Sequence, residues 1–127
     1  MNFNSILIGT DNPDKMTEYY TKVLGAPMMS EGGYTTWIIG NGAVTVAAHS
    51  EVHGTNGQPG RFIWNIESND VPGDFAKMRD AGAMVVREPY QFEGMEGTWI
   101  ATLSDPDNNY FQLVTPFDPS QMGGGQG

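Results

Sequence analysis

Apolar positions along this chain recur with two periods, and the points where one period yields to the other mark its elements. Residues 5–10, SILIGT, are short, apolar and β-branched, the pattern of a strand. Asn12 and Pro13 then offer a helix cap and a first-turn residue; Met16, Tyr19, Tyr20, Val23 and Leu24 follow at helical spacing until Gly25 provides a stop. Residues 33–49 predict two strands around an Asn41-Gly42 hairpin turn.

From about Arg61 the pattern starts again. Residues 61–68 predict a strand, Val71, Phe75 and Met78 mark one face of a helix, Ala81-Gly82 ends it, and AMVVREP predicts an edge strand. GTWIATLSDPDNNYFQLVTP then gives two strands around a turn. TKVLGAPMM (21–29) resembles MRDAGAMVV (78–86) in kind, TWI occurs at 36–38 and 98–100, and NGAVTV (41–46) lies over NNYFQL (108–113). The expected fold is therefore α+β: two tandem βαβββ modules, each too small to bury its own face. They must pair with each other or with a second chain. The expected boundaries are a single domain over 1–118, with modules at about 4–50 and 61–116, a Gly/Asn/Pro-rich linker at about 51–60, and a flexible Gly-rich tail at 119–127.

Composition narrows the partners. A chain of 127 residues makes one ordinary domain. Six Lys and Arg against 15 Asp and Glu give a net charge of −9, which disfavours nucleic acid and anionic membrane surfaces and suits a cationic ligand. The chain has no cysteine, so it has no disulfides or thiolate nucleophiles. A leader pattern and an apolar run of about 18 residues are both missing, so the expectation is an unexported, cytoplasmic protein.

Two stretches, DNPDKMTEYYTKVLG and SDPDNNYFQLV, resemble the vicinal oxygen chelate superfamily, the group that holds glyoxalase I, methylmalonyl-CoA epimerase, extradiol dioxygenases and the bleomycin- and fosfomycin-resistance proteins. A Tyr-Tyr pair ahead of KVLG suits that group's first helix, and Asn108 stands where its DPDGN-like turn has glycine. With the repeat, the resemblance spans about residues 4–115. It implies a curved half-barrel sheet enclosing a cleft, with modules paired in a homodimer. In the group's metalloenzymes four side chains, from the first and last strand of each module, hold a divalent ion that chelates two neighbouring substrate oxygens. The matching positions here are Ser5, Thr45, Ile63 and Gln112.

Those residues change the expected chemistry. A first-row divalent metal favours imidazole or carboxylate ligands, and hydroxyls, an amide and an isoleucine do not supply them. Gln112 is then either a polar hand in the cleft or a strand residue satisfied by its neighbours. By strand parity Tyr110 shares its face, while Phe111 and Leu113 turn to the helices and Trp64 and Ile66 to the core. The candidate ligand-binding set is Ser5, Leu7, Thr45, Ile63, Asn65, Tyr110 and Gln112, with no cofactor. The alternative is a divalent metal held by His49, Glu51, His53, Glu93 and Glu96, although HSEVH also reads as a solvated strand end and FEGMEG as an acidic loop. Glu67 alternates with Ile63 and Asn65 and is the candidate proton acceptor, or else a solvated carboxylate. No serine sits in a nucleophile-elbow context, and no glycine pattern cradles phosphate. The resemblance and the missing ligands together suggest a metal-free protein of the bleomycin-resistance kind, sequestering a cationic or planar small molecule. The alternative is a glyoxalase-, epimerase- or dioxygenase-like enzyme.

Overall fold

The computed structural model describes residues 1–116 of the chain, so the expected tail at 119–127 lies outside the described residues. The order of elements is β1 (Ser5–Thr10), α1 (Pro13–Leu24), β2 (Met29–Glu31), β3 (Tyr34–Ile39), β4 (Gly42–Ala48), then β5 (Ile63–Glu67), α2 (Val71–Asp80), β6 (Met84–Phe92), β7 (Met95–Ser104) and β8 (Tyr110–Val114). They form two four-stranded sheets, ordered β1-β4-β3-β2 and β5-β8-β7-β6. β1 runs parallel to β4 and β5 parallel to β8, while the other ladders are antiparallel. The fold is α+β, and its two mixed sheets do not close into a barrel.

Each helix lays an apolar stripe on the sheets. Met16, Tyr19, Tyr20 and Val23 of α1 and Val71 and Phe75 of α2 are buried, and they share one core with Trp37, Val46, Leu103, Phe111 and Leu113. The two halves therefore pack on each other within this chain. Tyr20 sits at the centre, its ring 5.8 Å from Trp37 of the first half and 5.9 Å from Phe111 of the second.

The adjacent tyrosines fasten the halves together. Tyr19 donates its hydroxyl proton to the Ser104 carbonyl and accepts the Met84 N–H, while Tyr20 donates to Asp105 Oδ2 at 2.7 Å. Asp105 is fully buried and also accepts the backbone N–H groups of Asp107 and Asn109, which folds the DPDNN turn around its carboxylate. Asn108 takes φ 65, the only positive φ at a non-glycine residue among the described residues, which explains how asparagine fills a glycine's place. Burial pushes the Asp105 carboxyl above its usual range despite these donors. Burial likewise pushes Tyr19 up to about 12 and Tyr20 well above a normal phenol.

Several local expectations shift by a few residues. The first hairpin turns at Gly40-Asn41, with Ile39 opposite Gly42, because Gly40 supplies the positive φ. Asn12 makes no side-chain cap; Thr10 Oγ1 accepts the Asn12 N–H instead. Asp70 caps α2 through the Gly73 N–H. The stretch FEGMEG is mostly strand, since β6 runs to Phe92 and β7 begins at Met95 around Glu93-Gly94. That longer hairpin also breaks the TWI match: Thr36 lies opposite Thr45 and Thr102 opposite Gln112, so Thr36 corresponds to Thr102 rather than to Thr98.

Candidate functional site

β1 and β5 are the terminal strands of their sheets, so each shows one unpaired edge. Between these edges runs a groove of about 1220 Å³. Ser5, Leu7, Ile63, Asn65, Glu67 and Tyr110 border it. The groove mixes apolar side chains, among them the exposed Phe3 (84% exposed), Phe62 (83%) and Leu7 (59%), with asparagines such as Asn41, Asn56, Asn65 and Asn109. Patches of exposed aromatic and aliphatic surface in a concavity favour a ligand or a partner over water. Among the described residues Glu67 is the only acid bordering the groove, and neither Lys nor Arg borders it.

Thr45 and Gln112, one strand further in, do not border the groove. Thr45 Oγ1 lies 2.8 Å from Thr36 Oγ1, and Gln112 Nε2 donates to Thr102 Oγ1 at 3.1 Å. These bonds are repeat-mates, each joining the last strand of a module to the strand beside it. Leu7, Thr45, Thr36 and Met29 form one row across the first sheet, and Asn65, Gln112, Thr102 and Arg87 form the matching row across the second. Both rows lie on the face away from the helices, since Phe111, Leu113, Ala101 and Leu103 of the intervening positions are in the core. Gln112 therefore has a structural partner and also shares the open face with Asn65.

The four positions matched to metal ligands do not fit a divalent ion. Ile63 has no donor atom, Ser5 Oγ donates to Asn4 Oδ1, and the Thr45 and Gln112 side chains are already engaged with Thr36 and Thr102. The other candidates are dispersed. His49 Nδ1 accepts the Glu51 N–H at 3.1 Å in the turn after β4, where Gly9 lets the chain approach, and His53 is exposed in the following loop. Glu93 and Glu96 are exposed at the β6–β7 turn. Among the described residues no three His, Cys, Asp or Glu side chains gather to hold a metal.

Strand alternation alone misplaces one residue on the open face, Arg87. Counting by twos from Met84 sends Arg87 to the helix side, but register shifts on both sides of it, between Val85 and Arg87 and between Arg87 and Tyr90, set Arg87 opposite Thr102 and Tyr90 opposite Ile100. The Arg87 guanidinium lies 3.7 Å from the centre of the Tyr90 ring. Only an unevenly spaced VVREPY stretch, with its proline, hints at this in the sequence.

The chain belongs to the Glyoxalase/Bleomycin resistance protein/Dioxygenase superfamily, whose pattern matches residues 2–113. Solved structures similar to it include a glyoxalase-related enzyme from Fulvimarina pelagi, at 13% identity and TM-score 0.71, covering 91% of this chain and 88% of that one. TioX from Micromonospora sp. ML1 is similar at 15% identity and TM-score 0.72, with 92% of this chain and 100% of that chain covered. A glyoxalase I mutant from Zea mays is similar at 23% identity and TM-score 0.64; the match covers 92% of this chain but only 46% of that one. At these identities the likeness is one of fold. Comparison with curated proteins finds no match. Among the described residues no helix is long and apolar enough to cross a membrane.

Proposed function

We propose that this chain is a metal-independent member of its superfamily that takes a planar small molecule into the groove between β1 and β5 and sequesters it. The observation that carries this reading is the donor set: at the positions the resemblance matches to the metalloenzymes' ligands this chain has hydroxyls, an amide and an isoleucine, beside a groove of about 1220 Å³. That volume exceeds the roughly 300–1,000 Å³ of common ligand pockets, so a drug-sized ligand fits with room to spare. The net charge of −9 and Glu67 at the groove favour a cationic or hydrogen-donating group at that end. The unpaired edges of β1 and β5, with Phe3 and Phe62 exposed beside them, favour a homodimer in which a second copy covers part of this surface. The ligand-binding candidates are Ser5, Leu7, Ile63, Asn65 and Tyr110 at the groove, with Thr45 and Gln112 behind them.

A thermal-shift series with 2-naphthalenemethanol and 2-naphthylmethylammonium tests the reading, because a ligand of the folded state raises the melting temperature by mass action. Saturable stabilisation, with the compound recovered unchanged, is the expected result. Planar probes that leave the melting temperature unmoved at millimolar concentration count against it.

Glu67 favours a second reading, a metal-free acid–base enzyme, because it borders the groove two residues along β5 from Asn65. Conversion of a bound ligand by the native chain, lost in Glu67→Gln with binding retained, would establish that reading over sequestration.

A further inference from the structure

The net charge favours cationic ligands, yet the open face of the second sheet carries a cation in the row that starts at the groove with Asn65. From the pairing registers, the strand residues on the open faces of the two sheets include the acids Glu31 and Glu67 and one cation, Arg87. Two register shifts in β6 bracket Arg87 and turn it to this face. Bulges of this kind re-aim side chains beside functional sites.

The state of the Arg87 side chain also points to a ligand. Its guanidinium carbon sits 3.7 Å over the centre of the Tyr90 ring, a cation–π contact that restrains the group. A cation–π contact does not use up the N–H donors of the group. Among the described residues Arg87, like Lys15 and Lys77 on the helices, has no carboxylate within ion-pair distance, while Lys22 pairs with Glu18 and Arg79 with Asp80. Arg61 donates to Gln58 Oε1, while no side-chain hydrogen bond is formed by Arg87 among the described residues. An oriented, unpaired guanidinium is a seat for a planar oxyanion, which it grips through two parallel N–H donors.

The row Asn65, Gln112, Thr102, Arg87 links this seat to the groove across three strand spacings, about 14 Å at the usual separation. The chain's overall negative field does not forbid an anion there. At physiological salt the screening length is about 8 Å, so Glu67 at the far end of the sheet is largely screened from Arg87; Glu88, the next residue, is solvent-exposed and makes no ion pair with Arg87 among the described residues.

We propose that Arg87, held by Tyr90, is the anion seat of the ligand site, and that the ligand is a planar ring compound carrying one carboxylate or phosphate at the end remote from the groove. This rests on the small-molecule-binding reading above and names the ligand class for it.

The test titrates 6-phenyl-2-naphthoate, long enough to lie across the sheet from the groove to Arg87, and the neutral (6-phenyl-2-naphthyl)methanol into the full chain and into Arg87→Gln and Arg87→Lys, following intrinsic tryptophan fluorescence. The expected result is that Arg87→Gln weakens naphthoate about tenfold or more. Arg87→Lys should restore only part of the loss, since lysine lacks the planar fork, and the alcohol should bind all three proteins within about twofold. Naphthoate binding to the native chain should also weaken as sodium chloride is raised. If the alcohol binds but naphthoate is indifferent to Arg87→Gln, the anion seat is overturned and the groove reading stands. If neither probe binds the native chain, both are overturned.

Discussion

Replacing Tyr20 by phenylalanine removes one atom from the place where the two repeats are joined. The ring stays, so its contacts with Trp37, Trp64 and Phe111 are kept. What disappears is the 2.7 Å hydrogen bond to Asp105 Oδ2, which retains only Asn109 Nδ2 at 3.0 Å. A hydrogen bond to a buried charged acceptor contributes about 1.5–3 kcal/mol, so Tyr20→Phe should lower unfolding free energy by that amount at neutral pH. For a domain of this size the melting temperature should fall by roughly 5–12 °C. The loss also has a pH signature. Burial raises the folded Asp105 pKa above its unfolded value of 3.8, so the folded chain holds this proton more tightly. The group's contribution is then full below that value and is lost as pH rises through the folded pKa. The Tyr20 hydroxyl opposes the rise, so its removal pushes the folded pKa higher and costs most where Asp105 is ionised. Urea denaturation followed by near-ultraviolet circular dichroism at pH 7 and pH 4 measures both. A cost below about 0.5 kcal/mol at pH 7, or a cost that grows on acidification, refutes the assignment of the tyrosine pair as the clamp between modules.

Asn108→Ala should destabilise by about 1–2 kcal/mol in the same assay, because alanine must hold a positive φ and the bond from Asn108 Nδ2 to the Asn56 carbonyl is lost. Asn108→Gly should cost less, since only the bond is lost; a glycine variant worse than alanine would contradict the left-handed turn. Gln112→Leu should weaken 6-phenyl-2-naphthoate by about three- to tenfold while changing stability little, and unchanged affinity would reduce Gln112 to a strand residue satisfied by Thr102. Analytical ultracentrifugation should give a dimer at micromolar concentration, with Phe62→Ser shifting it toward monomer. A native chain that sediments only as monomer contradicts the covered seam.

The fold was legible because its signals are local and repeated. Each module begins with a short apolar strand and a helix led by proline, and the repeat then predicts the sheets that follow. The strand parity of Trp64, Phe111 and Leu113 followed directly from alternation, and all three face the core. Alternation failed where the ladder is irregular: the shifts in β6 hide Arg87, and the longer second hairpin makes TWI a false landmark. The groove was less legible still. It depends on how far apart β1 and β5 stand, a tertiary quantity with no local pattern, so the matched positions divide into residues beside it and residues one strand behind. The Tyr-Tyr and DPDNN motifs that announce the superfamily are framework; they bind each other, with Asp105 at the centre.

The central claim is that the residues in the ligand positions do not capture a divalent ion. Elemental analysis of protein purified without chelator, then incubated in turn with nickel, zinc, ferrous iron and manganese and desalted, tests it most directly. The account predicts retention far below one ion per chain and no change in melting temperature with any of the four. One tightly held ion per chain, with a raised melting temperature that a chelator reverses, would contradict it.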